Sequence, residues 1–357
     1  MARLFRLQLR SIYENLAVEE RLLREAQPGS FIMYSSNPCV VMGRNQNPWK
    51  ECNIRYMARE GIELARRRSG GGTVYHDRGN LCYSFISTVK SHDKNANSGI
   101  VADALKSGFG INAEVNERND ILVDRKKVSG AAYRLTRGRA YHHGTLLVDS
   151  SLERLKRSIL SPELGKISTK ATDSVRSKVI NLSHAVKGLT VDKVSHMLER
   201  TVRTKLGISK PTISIRSADI TEGDIEEIEN LKQKSWLFGE TPKFKVSYEM
   251  DFSWGVVQVD MEIERGGKVT YCSFTGPKVV YSLPLLGKTM AGVTFGGAQV
   301  SKEILHVARA LSGDQSFLED IAGYLEDKIA TPFSAPSSHR RDTSKDADIW
   351  QIDPIEI

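Results

Sequence analysis

Between residues 13 and 25, Leu16, Glu19, Glu20, Leu22 and Leu23 recur at helical spacing, and the run stops at Pro28-Gly29. Ahead of it, Leu4-Phe5-Arg6-Leu7-Gln8-Leu9 reads as a short strand. Phe31–Tyr34, Cys39–Met42 and residues 62–65, 73–75 and 81–86 are short apolar or β-branched runs bounded by Gly, Pro, Asn or Asp, the mark of sheet strands. A helix over 98–109 then precedes strands at 111–115 and Ile121–Val123. Helices and strands interleave, so the fold class is α+β (mixed α/β).

Further along, Thr190 caps a helix that puts Val191, Val194, Leu198 and Val202 on one face, and 224–234 does the same with Ile225, Ile228 and Leu231. Residues 235–244, with Trp236, Gly239, Pro242 and Phe244, break the helical pattern. The period then becomes two: Met250, Phe252, Trp254 and Val256 alternate, and the phase slips to Val257, Val259, Met261 and Ile263. One extra residue beside Gly255, as in a bulge, explains the slip. Arg265-Gly266-Gly267-Lys268 is a hairpin turn into a strand over 269–274. Helical spacing returns with Ile304, Leu305, Val307 and Leu311, then Leu318, Ile321 and Leu325. The expected division is a larger domain over 1–234, a linker over 235–246, a small α/β domain over 247–331, and a polar, Ser-rich tail over 332–357 that lacks the apolar content to fold.

Composition adds bounds. The 357 residues are enough for one large domain and a smaller one, and 40% hydrophobic with 26% charged residues is ordinary for a globular chain. No stretch approaches the ~20 apolar residues that span a bilayer, so no membrane partner is expected. Lys and Arg number 51 against 43 Asp and Glu, a formal charge of +8 that suits an anionic substrate or an acidic partner. A nucleic-acid-binding module is one reading of that charge, but it calls for aromatics interleaved with the basic residues. Across the basic stretch 118–139 only Tyr133 qualifies, and nucleic acid is set aside. Cys39, Cys52, Cys82 and Cys272 form no C-x-x-C pair and have no His at metal spacing, which fits a reducing compartment without disulfide or zinc.

Three segments carry candidate chemistry. Arg66-Arg67-Arg68-Ser69-Gly70-Gly71-Gly72-Thr73-Val74-Tyr75-His76-Asp77 sets three glycines between two strand-like runs. That costs conformational entropy unless the backbone takes positive φ or lets another group come close. Guanidinium groups just before it point to an anion such as phosphate, while a flexible basic hairpin is the plainer reading. It is neither a Walker A loop nor a Rossmann fingerprint; the nearest string, Gly287-Lys288-Thr289, has Ser282 where the first Gly is needed. Next, Asn119-Asp120-Ile121-Leu122-Val123 runs through Lys126-Lys127 into Ser129-Gly130-Ala131-Ala132, so a lysine ends beside small residues on which a ligand could pack. Finally, the adjacent His142 and His143 point to opposite faces of a strand and cannot readily share one metal.

In this order the segments resemble the lipoate-protein ligase A / lipoyltransferase family of the biotin/lipoate ligase superfamily. The resemblance rests on Asn15-Leu16-Ala17-Val18-Glu19-Glu20, Gly43-Arg44-Asn45-Gln46-Asn47-Pro48-Trp49, the glycine triplet with its Arg-Ser and His-Asp flanks, Asn119-Asp120, Lys127-Val128-Ser129-Gly130 and His142-His143-Gly144-Thr145. It runs from about Leu9 to Phe244, and more weakly beyond.

The resemblance implies a biotin/lipoate ligase-type catalytic domain with a small C-terminal accessory domain. It implies ATP and Mg as co-substrates, no tightly bound prosthetic group, and lipoate made into lipoyl-AMP, then passed to a lysine of a lipoyl-carrier domain. Carried over by position, Arg67 and Lys127 would be catalytic. Ser69, Gly70, Gly71, Gly72, Tyr75, His76, Asn119, Asp120, Ser129, Gly130, Ala132, His143, Gly144 and Thr145 would bind lipoyl-AMP, with Mg near Asp120. Val40, Met42, Val74 and Tyr75 are candidates for an apolar tunnel. Thr172 to Val179 resembles the adenylate-covering loop of full ligases, with Ser174, Arg176 and Lys178 on the adenylate; this favours ATP-dependent activation over transfer of a preformed lipoyl group. Octanoyl transferases with a cysteine nucleophile fit less well, because no Cys lies between Cys82 and Cys272. The implied partners are the acyltransferase subunits of 2-oxoacid dehydrogenase complexes and the glycine cleavage H protein, for a monomer in the mitochondrial matrix of a eukaryote or the cytoplasm of a bacterium.

Overall fold

The computed structural model describes residues 1–311 and 313–329; the segment 332–357 expected as a tail lies outside them. The chain begins β1 (Leu4–Leu7), α1 (Ile12–Glu25), β2 (Phe31–Tyr34), β3 (Cys39–Met42), α2 (Pro48–Glu51), α3 (Ile54–Arg59), β4 (Glu63–Arg66), β5 (Val74–His76) and β6 (Asn80–Thr88). It continues α4 (Lys94–Phe109), β7 (Ala113–Val115), β8 (Ile121–Val123), β9 (Lys126–Ser129), β10 (Ala131–Thr136), β11 (Arg139–Leu147), α5 (Leu152–Ile159), β12 (Ile167–Thr169), α6 (Val191–Leu206), β13 (Ile213–Ile215) and α7 (Glu222–Lys232). The last part is β14 (Phe244–Phe252), β15 (Gly255–Ile263), β16 (Val269–Thr275), α8 (Leu283–Thr289), α9 (Gly297–Ala310) and α10 (Gln315–Lys328).

A six-stranded mixed sheet, β10-β11-β6-β2-β1-β13, forms the centre of the first part. Strand β2 shows why helices must cover both faces. Phe31 and Met33 point into one core with α4 and α6, through Val101, Leu105, Val194 and Leu198, while Ile32 and Tyr34 point into another with α1 and α7, through Leu16, Leu22, Ile228 and Leu231. All four strand residues are buried, so the run reads as continuously apolar. The strand expected at Leu4 is present and pairs in parallel with β2 on one side and β13 on the other. Helix α4 starts at Lys94, four residues before the expected position, because Asp93 caps it by accepting from Ala96 N. The Thr190 cap is as expected, accepting from Lys193 N.

Two small sheets carry the candidate site. In β4-β3-β5 the glycine triplet links β4 to β5, and the meander β7-β8-β9 carries Lys127. A fourth, antiparallel sheet, β12-β14-β15-β16, draws its edge strand from residues 167–169, far ahead of the other three in sequence. Residues 235–246 are packed rather than loose: 235–239 form a helical turn, Leu237 and Phe238 are buried, and β14 starts at Phe244.

The bulge expected at Gly255 is a correction. Phe252 pairs with Gly255 across a two-residue hairpin, so the two alternating runs are separate antiparallel strands joined by Ser253-Trp254. A tight turn resets the alternation as an inserted residue does, and period alone does not distinguish them. The irregularity in this sheet falls instead at Glu262/Ile263.

Candidate functional site

The three successive arginines diverge. Arg66 is fully buried and donates to Leu237 O at 2.6 and 3.0 Å, Arg44 O and Gln46 O at 2.8 Å, and Thr241 Oγ1 at 3.0 Å. It ties the 43–46 segment to residues 237–241. Arg68 forms a two-pronged pair with Glu227 at 2.8 and 3.1 Å and lies 3.8 Å over the Trp236 ring. Arg67 stays under the glycine loop, with Nε on Ser69 Oγ at 2.9 Å and further donation to Val41 O at 3.0 Å, Gly70 O at 2.6 Å and Gly72 O at 2.8 Å. Burial pulls Arg66 and Arg67 down to about 10, which leaves both cationic at neutral pH. Arg67, expected to line an adenylate, directs its guanidinium at oxygens of the loop and at the Val41 carbonyl.

Two glycines of the triplet have their own reasons. Gly71 takes φ +84°, a conformation that L side chains avoid. A Cβ on Gly72 would lie 3.2 Å from Ser174 Oγ, while one on Gly70 would meet nothing within 4 Å. The 172–178 loop is fastened here. Ser174 Oγ accepts from Thr73 N at 2.9 Å and Gln46 Nε2 at 3.0 Å, Ser174 N donates to Glu51 Oε1 at 3.3 Å, and Lys50 pairs with Asp173 at 2.5 Å. Burial raises the Glu51 carboxyl above the ordinary carboxylate range, against the lowering effect of the Ser174 hydrogen bonds.

Lys127 meets this loop from the other side. Its N–H donates to Lys178 O at 2.7 Å and its C=O accepts from Ile180 N at 3.1 Å, so residues 178–180 run beside β9. The ammonium pairs with Asp120 at 2.9 Å and lies against Gly130, where a Cβ would be 3.3 Å from Nζ. A cavity of about 420 Å³ joins these parts. Lys127, Thr73, Ser129, Gly130, Thr145, Ser174 and Arg176 supply polar wall, and Val74, Tyr75, Leu147, Leu155, Ile159, Leu160 and Leu164 the apolar wall.

Of the other expected site residues, Ala132 packs close to Gly71, and Lys178 is exposed with its carbonyl on Lys127 N. Gly144 faces Tyr83, whose hydroxyl would be 2.4 Å from a Cβ there. His143 sits beneath the loop with Nε2 2.8 Å from Ser69 Oγ. His76 is buried beside Cys82 and pushed down to about 3 by burial and then by Arg67. Asn119, at φ +63°, borders an open depression with Lys90, His92 and Lys94 rather than the cavity. Val40 and Met42 are buried in the core cluster and do not line the cavity, whereas Val74 and Tyr75 do. Among the described residues no three His, Cys, Asp or Glu side chains gather as metal ligands.

Residues 11–203 match the family of the lipoyl protein ligase A/B catalytic domain. The chain belongs to that family. LipL1 of P. falciparum, solved in complex with lipoate, is 23% identical, with 92% of this chain and 100% of that chain covered and a TM-score of 0.61, a likeness of fold. A lipoate-protein ligase A bound with ATP is 26% identical over 67% of this chain and 99% of its own, with a TM-score of 0.55. A putative lipoate protein ligase from T. acidophilum with bound lipoic acid is 25% identical over 67% and 99%, also at 0.55. The protein is an enzyme of the lipoate-protein ligase type, and its mixed α/β fold is that of the family.

Family resemblance and local pattern together named only Val74 and Tyr75 of the apolar wall. Helix α5 contributes Leu155 and Ile159 to it, and its signal was present: Ser151 accepts from Arg154 N as a cap, ahead of Leu152, Leu155 and Ile159 at helical spacing. Lys50 and Glu51 were also missed; they come to the cavity only because Gln46 and Asn47 fold the 43–51 segment back, Gln46 accepting from Gly43 N at 2.9 Å and Asn47 capping α2.

Proposed function

We propose that this protein activates lipoate with ATP to lipoyl-AMP and transfers the lipoyl group to a lysine of a lipoyl-carrier domain. One observation carries the reading: Lys127 stands where the fastened glycine loop meets an apolar-walled cavity of about 420 Å³, within the usual range for a small-molecule site. The apolar wall suits an aliphatic acyl chain, and the polar end suits a carboxylate and phosphate.

In the first step a carboxylate oxygen of lipoate bonds to the α-phosphorus of ATP, the bond to the bridging oxygen breaks, and pyrophosphate leaves. In the second, the carrier ε-amine bonds to the acyl carbon, the bond to the AMP oxygen breaks, and the amine proton passes to solvent. Both steps move negative charge onto phosphate oxygens, which the Lys127 ammonium is placed to offset once Asp120 yields it. Arg176 and the 172–178 loop would exclude water from the mixed anhydride, and Asn119 and Asp120 would border the nucleotide, with Mg accompanying the ATP. A T. acidophilum bipartite lipoate protein ligase, 25% identical over 67% of this chain, has been solved as part of a system with its E2 lipoyl domain, which supports carrier domains of this kind as partners. The partners proposed are 2-oxoacid dehydrogenase acyltransferase subunits and the glycine cleavage H protein, met by a monomer in the mitochondrial matrix or bacterial cytoplasm.

Lipoate-dependent exchange of labelled pyrophosphate into ATP tests activation. Exchange is expected; its absence, with transfer from supplied lipoyl-AMP intact, would make the protein a transferase instead.

A further inference from the structure

Beneath the glycine loop runs a single file of hydrogen bonds. Glu19 on α1 is 1% exposed, with its carboxylate oxygens 3.1 and 3.2 Å from His143 Nδ1. His143 Nε2 is 2.8 Å from Ser69 Oγ, which accepts from Arg67 Nε at 2.9 Å. Arg67 then holds the carbonyls of Gly70 and Gly72.

The carboxylate end sets the direction of the file. A guanidinium only donates, and a carboxylate only accepts. Nδ1 therefore carries the ring proton, and in the neutral imidazole Nε2 presents its lone pair, at which the Ser69 hydroxyl points its hydrogen. The order carboxylate, imidazole, hydroxyl is that of an activated serine nucleophile. Two features turn Ser69 away from that role: Arg67 Nε occupies its oxygen, and Ser69, 1% exposed, does not border the cavity that holds Lys127.

We infer that Glu19 and His143 are positioning residues. Glu19 holds His143 as the Nδ1–H tautomer, the tautomer orients the Ser69 hydroxyl, and the hydroxyl oxygen holds the Arg67 fork that shapes the glycine loop. The loop is thereby set by helix α1 before any ligand arrives. A second tie keeps α1 in place without Glu19: Glu20 takes Arg134 at 2.6 Å and the Tyr141 hydroxyl at 3.0 Å, from the neighbouring strands β10 and β11. Removing the Glu19 carboxylate thus disturbs the file while leaving the helix anchored. The effect on turnover rests on the ligase reading above; the tautomer does not.

The test is the ring 15N spectrum of the ligand-free, full-length protein labelled at histidine, with His143 assigned by the signal lost in His143→Gln. Protonated Nδ1 and unprotonated Nε2 are expected, and a ring protonated at Nε2 would overturn the proposal even if Glu19→Leu does not fold. Glu19→Leu should move the proton to Nε2 and lower kcat for lipoyl transfer on the order of 10-fold or more, with KM for the carrier unchanged. A Glu19→Leu protein that keeps the wild-type tautomer, or that loses it at wild-type kcat, would contradict the inference. If wild type fails to transfer lipoate while its tautomer is as expected, the ligase reading has failed and the positioning file stands.

Discussion

Gly43 is pressed against the backbone of Gly71: a Cβ built on Gly43 would lie 2.0 Å from the Gly71 carbonyl oxygen. The two glycines belong to separate motifs, and the contact holds the Gly43-Arg44-Asn45-Gln46 turn against the crest of the triplet. Gly43→Ala must push the backbones apart. A loss of about 1–3 kcal/mol is expected from urea unfolding, with a larger proportional loss of lipoyl transfer than of stability at assay temperature. Wild-type values in both assays would show that the loop tolerates the displacement.

Much of this arrangement was legible in the sequence, for physical reasons. Buried strands such as β2 and β3 are continuous apolar runs, α1 and α6 have clear stripes, and the glycine triplet announces a backbone with special demands. What local pattern misses depends on distant partners. Arg66 reads as one of three anion-gripping arginines, yet its guanidinium is consumed by Leu237, Thr241 and the turn at 43–46. Strand β12 is too short for a periodic signal and exists because β14 offers it an edge. Gly144 reads as a ligand-facing glycine, and Tyr83 is what requires it.

The fastening of the 172–178 loop gives a second expectation. Ser174→Ala deprives Thr73 N of its acceptor and Gln46 Nε2 of one of its two, leaving the latter the Thr172 carbonyl at 3.3 Å. Faster trypsin cleavage after Arg176 should follow, on the order of 5- to 30-fold for a loss of 1–2 kcal/mol in loop closure, with Thr172→Ala, whose side chain makes no comparable contact among the described residues, as control. Equal cleavage rates in Ser174→Ala and wild type would mean that the loop is held elsewhere.

Acid should weaken the fold through buried neutral histidines. His142, on the strand face opposite His143, is pushed down to about 3 by burial and then by its histidine neighbours, as His76 is by burial and Arg67. Neither ring nitrogen of His142 has a hydrogen-bond partner among the described residues. The unfolded chain takes up a proton near pH 6.5 and the folded one resists until about 3, so stability is lost as pH falls through that window, at up to about 1.4 kcal/mol per pH unit for each histidine. Urea midpoints between pH 7.5 and 5 should therefore fall, and His142→Phe should flatten the slope. An unchanged slope in that variant would exclude His142 as a source.

The central claim is that Lys127, at the junction of the glycine loop and the apolar-walled cavity, serves both half-reactions. Its most direct test is the intact mass of a lipoyl-carrier domain incubated with free lipoate, MgATP and either wild-type protein or Lys127→Ala matched to it in circular dichroism. The account predicts one lipoyl amide added by the wild type and none by the variant. Near-normal lipoylation by Lys127→Ala, or no addition by the wild type, would contradict it.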